Sequence, residues 1–226
     1  MMCGLKAFAC TEDDESTGAV LFATHDIAAK RWAANEYADG DITRIQCRRA
    51  KWADHLVGSA VPASLMIEHG WHFECSGCGA RIDLSELDEK GLTVAGVIGM
   101  QDDLVFCGPE CALWYRSRRA TAKRLEAEAI MWLRGIALRS IGTVEFVTGF
   151  GQEHAYASER GGRWTIEQAF VSFRFDGMEI GTASLRYHGP RWCGAHGPTR
   201  PEWSCCAGDK EAFEAFAKAR QTREAA

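Results

Sequence analysis

Two short apolar runs, Lys6 to Cys10 and Gly18 to Ala23, open the chain on either side of a polar stretch. Runs of this length bounded by polar residues predict strands, and the loop between them, Thr11 to Thr17, carries Glu12, Asp13, Asp14 and Glu15 in succession. Like charges so close repel one another, which favours a solvated loop over a metal site. The pattern then becomes helical: Thr24 offers an N-cap oxygen, the alanine-rich segment His25 to Tyr37 follows, and Gly40 sits where a C-cap belongs. Ile42 to Arg49 predicts a third strand, with Trp32 and Trp52 as the large side chains available to the core of this strand-strand-helix-strand unit. His25 beside Asp26 has the composition of an acid-base pair, but sequence neighbours point to different sides of a helix and no nucleophile accompanies them, which favours a structural role.

Pro62 to His69, closed by Gly70, predicts a short helix, and Trp71 to Glu74 a strand leading into a pair of cysteines. From Cys111 to about Ser140 there is no proline, and Leu125, Ala129, Trp132, Leu133 and Ile136 recur at helical spacing, which predicts one long helix with a buried face in its second half. Strands follow at Thr143 to Gly149 and Ala155 to Arg160, and Trp164 to Phe175 alternates and meets Met178 to Tyr187 across Asp176-Gly177, a hairpin signal. Phe170, Val171, Phe173 and Phe175 are candidate core residues. Gly208-Asp209 caps a last helix with Phe213, Phe216 and Ala217 on one face. The resulting expectation is an α+β fold in three parts: a small unit at 1–60, a cysteine-bearing module with the long helix at 61–140, and an antiparallel sheet with a terminal helix at 141–226.

At 226 residues and 46% hydrophobic content the chain has enough material for a core. It shows no apolar run long enough to span a bilayer and no basic leader before an apolar stretch, so the expectation is a soluble cytoplasmic protein with no membrane partner. In such a setting ten cysteines read as metal ligands plus buried thiols rather than disulfides. Charge sharpens the picture: residues 61–111 carry two basic and nine acidic side chains, whereas 112–140 carry seven basic and two acidic ones. The positive charge is concentrated on one element.

Four cysteines carry the clearest chemistry. Cys75 and Cys78 form a Cys-x2-Cys pair, and 28 residues later Cys107 and Cys111 form a Cys-x3-Cys pair. Spacing alone is weak evidence in a cysteine-rich chain, so the neighbours decide. Gly77 and Gly79 flank Cys78 and let the backbone curl until its N–H groups face thiolate sulfur; Gly108 and Pro109 lie inside the second pair, where proline pre-sets the first turn of a helix. Cys111 then falls in that first turn, where the helix dipole favours a thiolate. Four soft sulfurs with no open position predict a tetrahedral, structural Zn2+. The alternative is four buried thiols in an ordinary core.

Cys75-Ser-Gly-Cys78-Gly followed by Val105-Phe106-Cys107-Gly-Pro-Glu-Cys111-Ala112 resembles treble-clef zinc fingers of the MYM and TRASH type. The resemblance covers this segment only. It implies a first knuckle, a small hairpin, and an aromatic-Cys-x3-Cys that starts a helix, with a structural metal in a module that binds proteins or nucleic acids. The chain as a whole resembles phage and prophage proteins, a likeness that assigns no function.

Arg116, Arg118, Arg119, Lys123 and Arg124 crowd the first half of the long helix near Trp114 and Tyr115. They form a candidate surface for nucleic acid or an acidic host protein, including a host nucleic-acid-handling complex that a phage inhibitor would dock on. The alternative is a solvated face answering Asp83, Glu86, Asp88, Glu89, Asp102 and Asp103. Cys193, His196, Cys205 and Cys206 present an incomplete second metal set. No Gly-rich phosphate loop, serine elbow or His-Glu-x-x-His motif occurs, so a binding protein is expected ahead of an enzyme; an unfamiliar site using His188, Cys193 or His196, and a protein-binding adaptor using exposed tryptophans, are the other readings.

Overall fold

The computed structural model describes residues 4–12, 17–99, 103–190 and 200–215. Helices and antiparallel sheets are combined in an α+β fold, and the chain forms two compact units, Met1–Leu113 and Trp114–Ala226. The division falls inside the longest helix.

In the first unit, β1 (Lys6–Glu12) lies between β2 (Gly18–Ala23) and β3 (Ile45–Arg49) in a three-stranded antiparallel sheet of order β2-β1-β3. Both faces of β1 are covered. Phe8 and Cys10, with Ile45, pack against Ala29, Ala33, Ala34 and Ala38 at the inner side of α1 (Asp26–Tyr37) and just past its end. Ala7 packs on the other face against Ala50 and Ala53, beside a 3-10 segment Lys51–Leu56. Alanine at these positions brings helix and sheet backbones close together, and the core follows from that rather than from the tryptophans. Trp32 is 51% exposed and meets Tyr37 edge-on, while Trp52 is half-buried and stacked on His69. The N-cap of α1 is His25, not Thr24: its Nδ1 accepts the Ala28 N–H at 3.0 Å. That is a structural role for a residue otherwise suggestive of catalysis. The expected third strand starts later because Asp41 accepts from Thr43 N–H and Thr43 Oγ1, and so caps a 3-10 turn at Ile42–Arg44. Of the acidic run, Glu12 is buried, pairs with Arg44 and accepts from Thr17 Oγ1 at 2.8 Å. It is not part of a solvated loop; Asp13, Asp14 and Glu15 lie outside the described residues.

The rest of the first unit consists of short elements. Helix α2 (Ala63–Glu68) precedes a minimal hairpin of β4 (Phe73–Glu74) and β5 (Arg81–Ile82). Helix α3 (Leu84–Glu89) begins at Asp83, whose carboxylate accepts the Glu86 N–H at 2.9 Å. A second two-stranded hairpin, β6 (Ile98–Gly99) and β7 (Val105–Phe106), leads to α4 (Pro109–Ile141), a helix of 33 residues. Proline at the first helical position lacks only an N–H that would have no partner there. Arg139 complements the dipole in the last turn, and the Gly142 N–H returns to Leu138 O at 2.8 Å.

In the second unit β10 (Arg163–Arg174) is the centre of a five-stranded antiparallel sheet. On one side it pairs with β11 (Ala183–His188), which pairs with β12 (Glu202–Ser204); on the other it pairs with β9 (Glu153–Arg160) and, further along, β8 (Glu145–Val147). Ala129, Leu133 and Ala137 of α4 pack on Ala169, Val171, Phe173, Ala183 and Leu185, the inward residues of alternating strands. Trp132 is 43% exposed and meets Tyr187 of the sheet edge-on. Asp176-Gly177 does turn, with Met178 N–H on Phe175 O at 3.2 Å, yet pairing with β11 resumes only at Ala183. The intervening residues are held by a different device. Asp209, only 2% exposed, accepts the N–H groups of Glu179, Ile180 and Gly181 at 2.8, 3.2 and 2.9 Å. Its carboxylate organises this loop instead of capping the last helix, which begins at residue 210. Phe216 and Ala217 lie outside the described residues.

Candidate metal centre

The two hairpins of the first unit bring the cysteine pairs together. Cys75 leaves β4, and its N–H donates to Ala80 O while the Gly79 N–H donates back to Cys75 O, both at 2.8 Å, closing a tight knuckle. The Ser76 N–H donates to Val105 O at 2.8 Å, and the Val105 N–H donates to Ser76 Oγ at 3.3 Å. This reciprocal pair joins the first knuckle to β7 and thereby to Cys107. The 28-residue spacer contains β5, α3 and the β6–β7 hairpin, so residues distant in sequence return to one point.

Sγ atoms of Cys75, Cys78, Cys107 and Cys111 all lie within 4.8 Å of one another, and the cluster can hold a metal ion. Cys78 and Cys107 are 3.9 Å apart, Cys107 and Cys111 3.5 Å. A tetrahedron with metal–sulfur bonds of about 2.3 Å has edges of about 3.8 Å, so these separations are those of ligands around one centre and far beyond the bonding distance of a disulfide. Gly77 is required by close approach: a Cβ there would lie 2.8 Å from Cys111 Cβ and 3.0 Å from Cys111 O. Glycine is therefore selected by the neighbouring helix turn as well as by the knuckle.

The electrostatics are those of a thiolate cradle. Burial pushes the Cys75 thiol up, but N–H groups of Cys78, Cys107 and Gly77 pointing at its sulfur outweigh this and bring it down to about 6. The Cys107 N–H lies 3.4 Å from that sulfur. Burial raises Cys107 and Cys111, and each sulfur beside an already ionised one gains less from ionising. A bound cation relieves that repulsion. Cys75 is buried, Cys107 and Cys111 are half-buried and Cys78 is exposed, so the cluster lies at the surface of its unit.

The basic residues of α4 divide. Arg118 is half-buried between two indoles, 4.5 Å from the Trp114 ring centre and 5.5 Å from that of Trp164, and pairs with Glu159 at 2.6 Å. Its charge is spent inside the second unit, a role invisible to a reading that saw only a run of cations. Arg116, Arg119 and Lys123, at i, i+3 and i+7, share one side of the helix and are exposed; Arg124 is exposed and pairs with Glu128 at 2.7 Å. Among the described residues no other cluster of potential metal ligands occurs. Cys193 and His196 lie outside them, and Cys206 Sγ donates to Asp209 at 2.9 Å. His188 ends β11. No described helix is long and apolar enough to cross a membrane.

The chain matches no known family model, and neither the curated proteins nor the solved structures give a match.

Proposed function

We propose that the chain is a zinc-stabilised binding protein of treble-clef type, with a structural Zn2+ on Cys75, Cys78, Cys107 and Cys111. The convergence of four sulfurs at the first turn of α4 carries this reading. A four-thiolate set favours zinc over harder cations, and a set with no open position makes the metal a scaffold and not a Lewis acid. Metal analysis of purified protein tests it: about one zinc per chain is expected, and Cys75→Ser should lose it. Zinc near zero in both proteins overturns the assignment.

The contact surface in this reading is the exposed side of α4 with Arg116, Arg119 and Lys123, joined by Arg124, directed at nucleic acid or at an acidic surface of a nucleic-acid-handling complex. A phage inhibitor of a host system is one form it takes. Arg118 is left out of this contact set because its guanidinium faces two indoles and pairs with Glu159. Binding of single-stranded DNA and RNA at two salt concentrations is the experiment. Loss of Arg119 and Lys123 should weaken binding and flatten its salt dependence by roughly 0.7 per phosphate contact removed. Unchanged affinity and slope would sink the nucleic-acid reading. A second reading, an adaptor for another protein, draws on Met131 at 63% exposure and the fully exposed Phe150. Salt-insensitive capture of a protein partner, lost in Met131→Glu or Phe150→Ala, would favour it.

A further inference from the structure

Cys10 and Cys47 are directly opposite each other on β1 and β3, and their Sγ atoms are 3.2 Å apart. Opposed residues of antiparallel strands have Cα atoms about 4.5 to 5.5 Å apart, inside the range that a disulfide spans without moving backbone. The two thiols differ sharply in access. Cys10 is fully buried beneath α1, whereas Cys47 is half-buried and lines an open cavity of about 340 Å³ with Lys6, Phe8, His25, Asp26 and Arg49. Arg49 forms a fixed wall there, since its guanidinium donates to Ala7 O at 2.7 Å and to Asp54 at 2.5 Å. Exposed Lys6 leaves an ammonium at the rim.

We propose that Cys47 and Cys10 are a thiol–disulfide exchange site for a small, carboxylate-bearing disulfide that enters this cavity. Cys47 attacks one sulfur of the incoming R–S–S–R, forming Cys47–S–S–R and expelling the first R–S−, which leaves as R–SH with the Cys47 proton. Cys10 then attacks the Cys47 sulfur, the Cys47–SR bond breaks, and the second R–S− takes the Cys10 proton. Two protein thiols are oxidised by two electrons to one cross-strand disulfide, and R–S–S–R is reduced to two R–SH. Burial, and the hydrogen bond it makes to Cys47, raise the Cys10 thiol well above its ordinary range, which fits it as the second and not the first to react. The four cysteines of the metal cluster are separate from this pair and lie on the β4–β5 and β6–β7 hairpins and the first turn of α4.

Zinc-loaded full-length protein is incubated with oxidised glutathione, residual thiols are alkylated, and unreduced digests are mapped by mass spectrometry. A Cys10–Cys47 cross-link is expected in the wild type, a lasting glutathione adduct on Cys47 in Cys10→Ser, and neither product in Cys47→Ser. The wild-type map decides the question even where a variant fails to fold, which circular dichroism reports. Wild-type Cys10 and Cys47 that stay free under conditions where Cys205 or Cys206 reacts would overturn the proposal, as would a glutathione adduct on Cys10 in folded Cys47→Ser.

Discussion

Gly77 and Asp54 illustrate how much can depend on a single position. A methyl group on Gly77 meets Cys111 backbone and Cβ at or below 3.0 Å, and a backbone turn has no flexible end to yield. Gly77→Ala should therefore cost about 1 to 3 kcal/mol and, where the cluster holds the proposed zinc, speed its loss to a chelator, read by a colorimetric zinc indicator. Asp54 accepts from Arg49 and from the Ala7 N–H at 2.9 Å, and these bonds, the guanidinium first, hold its carboxyl at about 2. A folded-state value below the unfolded one means that the pair contributes stability above about pH 3.9, and that this is lost as pH falls towards 2. Urea titrations of wild type and Asp54→Asn should differ at pH 6 and converge near pH 2; a gap independent of pH would contradict the pairing.

At the scale of elements, α4 has two kinds of side chain doing separate tasks. Leu133 is fully buried against the sheet of the second unit, and Leu133→Ala should destabilise that unit by about 2 to 5 kcal/mol, measured by chemical denaturation. Arg118 joins α4 to β9 and β10 through Glu159 and Trp164. Arg118→Ala should lower the thermal midpoint, with a cost of about 1 to 2 kcal/mol, whereas Arg119→Ala, at an exposed site, should leave the midpoint within error. Equal effects from the two would contradict the division of the basic run. The length of this helix was legible from the absence of proline between Cys111 and Ser140, since local backbone chemistry sets where a helix can continue. Its buried face was legible only in part: Ala129 and Leu133 were recognisable from spacing, but Trp132 was not separable from them, because a helical period fixes an angle and not how far the partner sheet extends.

At the scale of the whole molecule, a structural metal is a folding constraint. Binding of zinc by four thiolates can contribute on the order of 10 kcal/mol, comparable with the full stability of a domain. Chelation should raise hydrogen exchange across residues 73–113, with restoration on adding zinc; protection unchanged by a chelator that does extract the metal would show that the hairpins stand without it. The sequence by itself determined the four clustered cysteines, their glycine and proline neighbours, the long helix, the alternating strand at Trp164 to Phe175 and the α+β class. All of these are written in signals a few residues long: cap chemistry, period, and the spacing of a knuckle. Tertiary structure alone decided that Trp32 stays outside while alanines form the core, that Asp209 organises a loop some thirty residues away, that Arg118 is enclosed by indoles, and that Cys10 and Cys47 face each other. Each of these depends on strand register or on packing between distant segments. No local period encodes which buried carboxylate will meet which N–H groups, or which two of ten thiols will be brought within 3.2 Å.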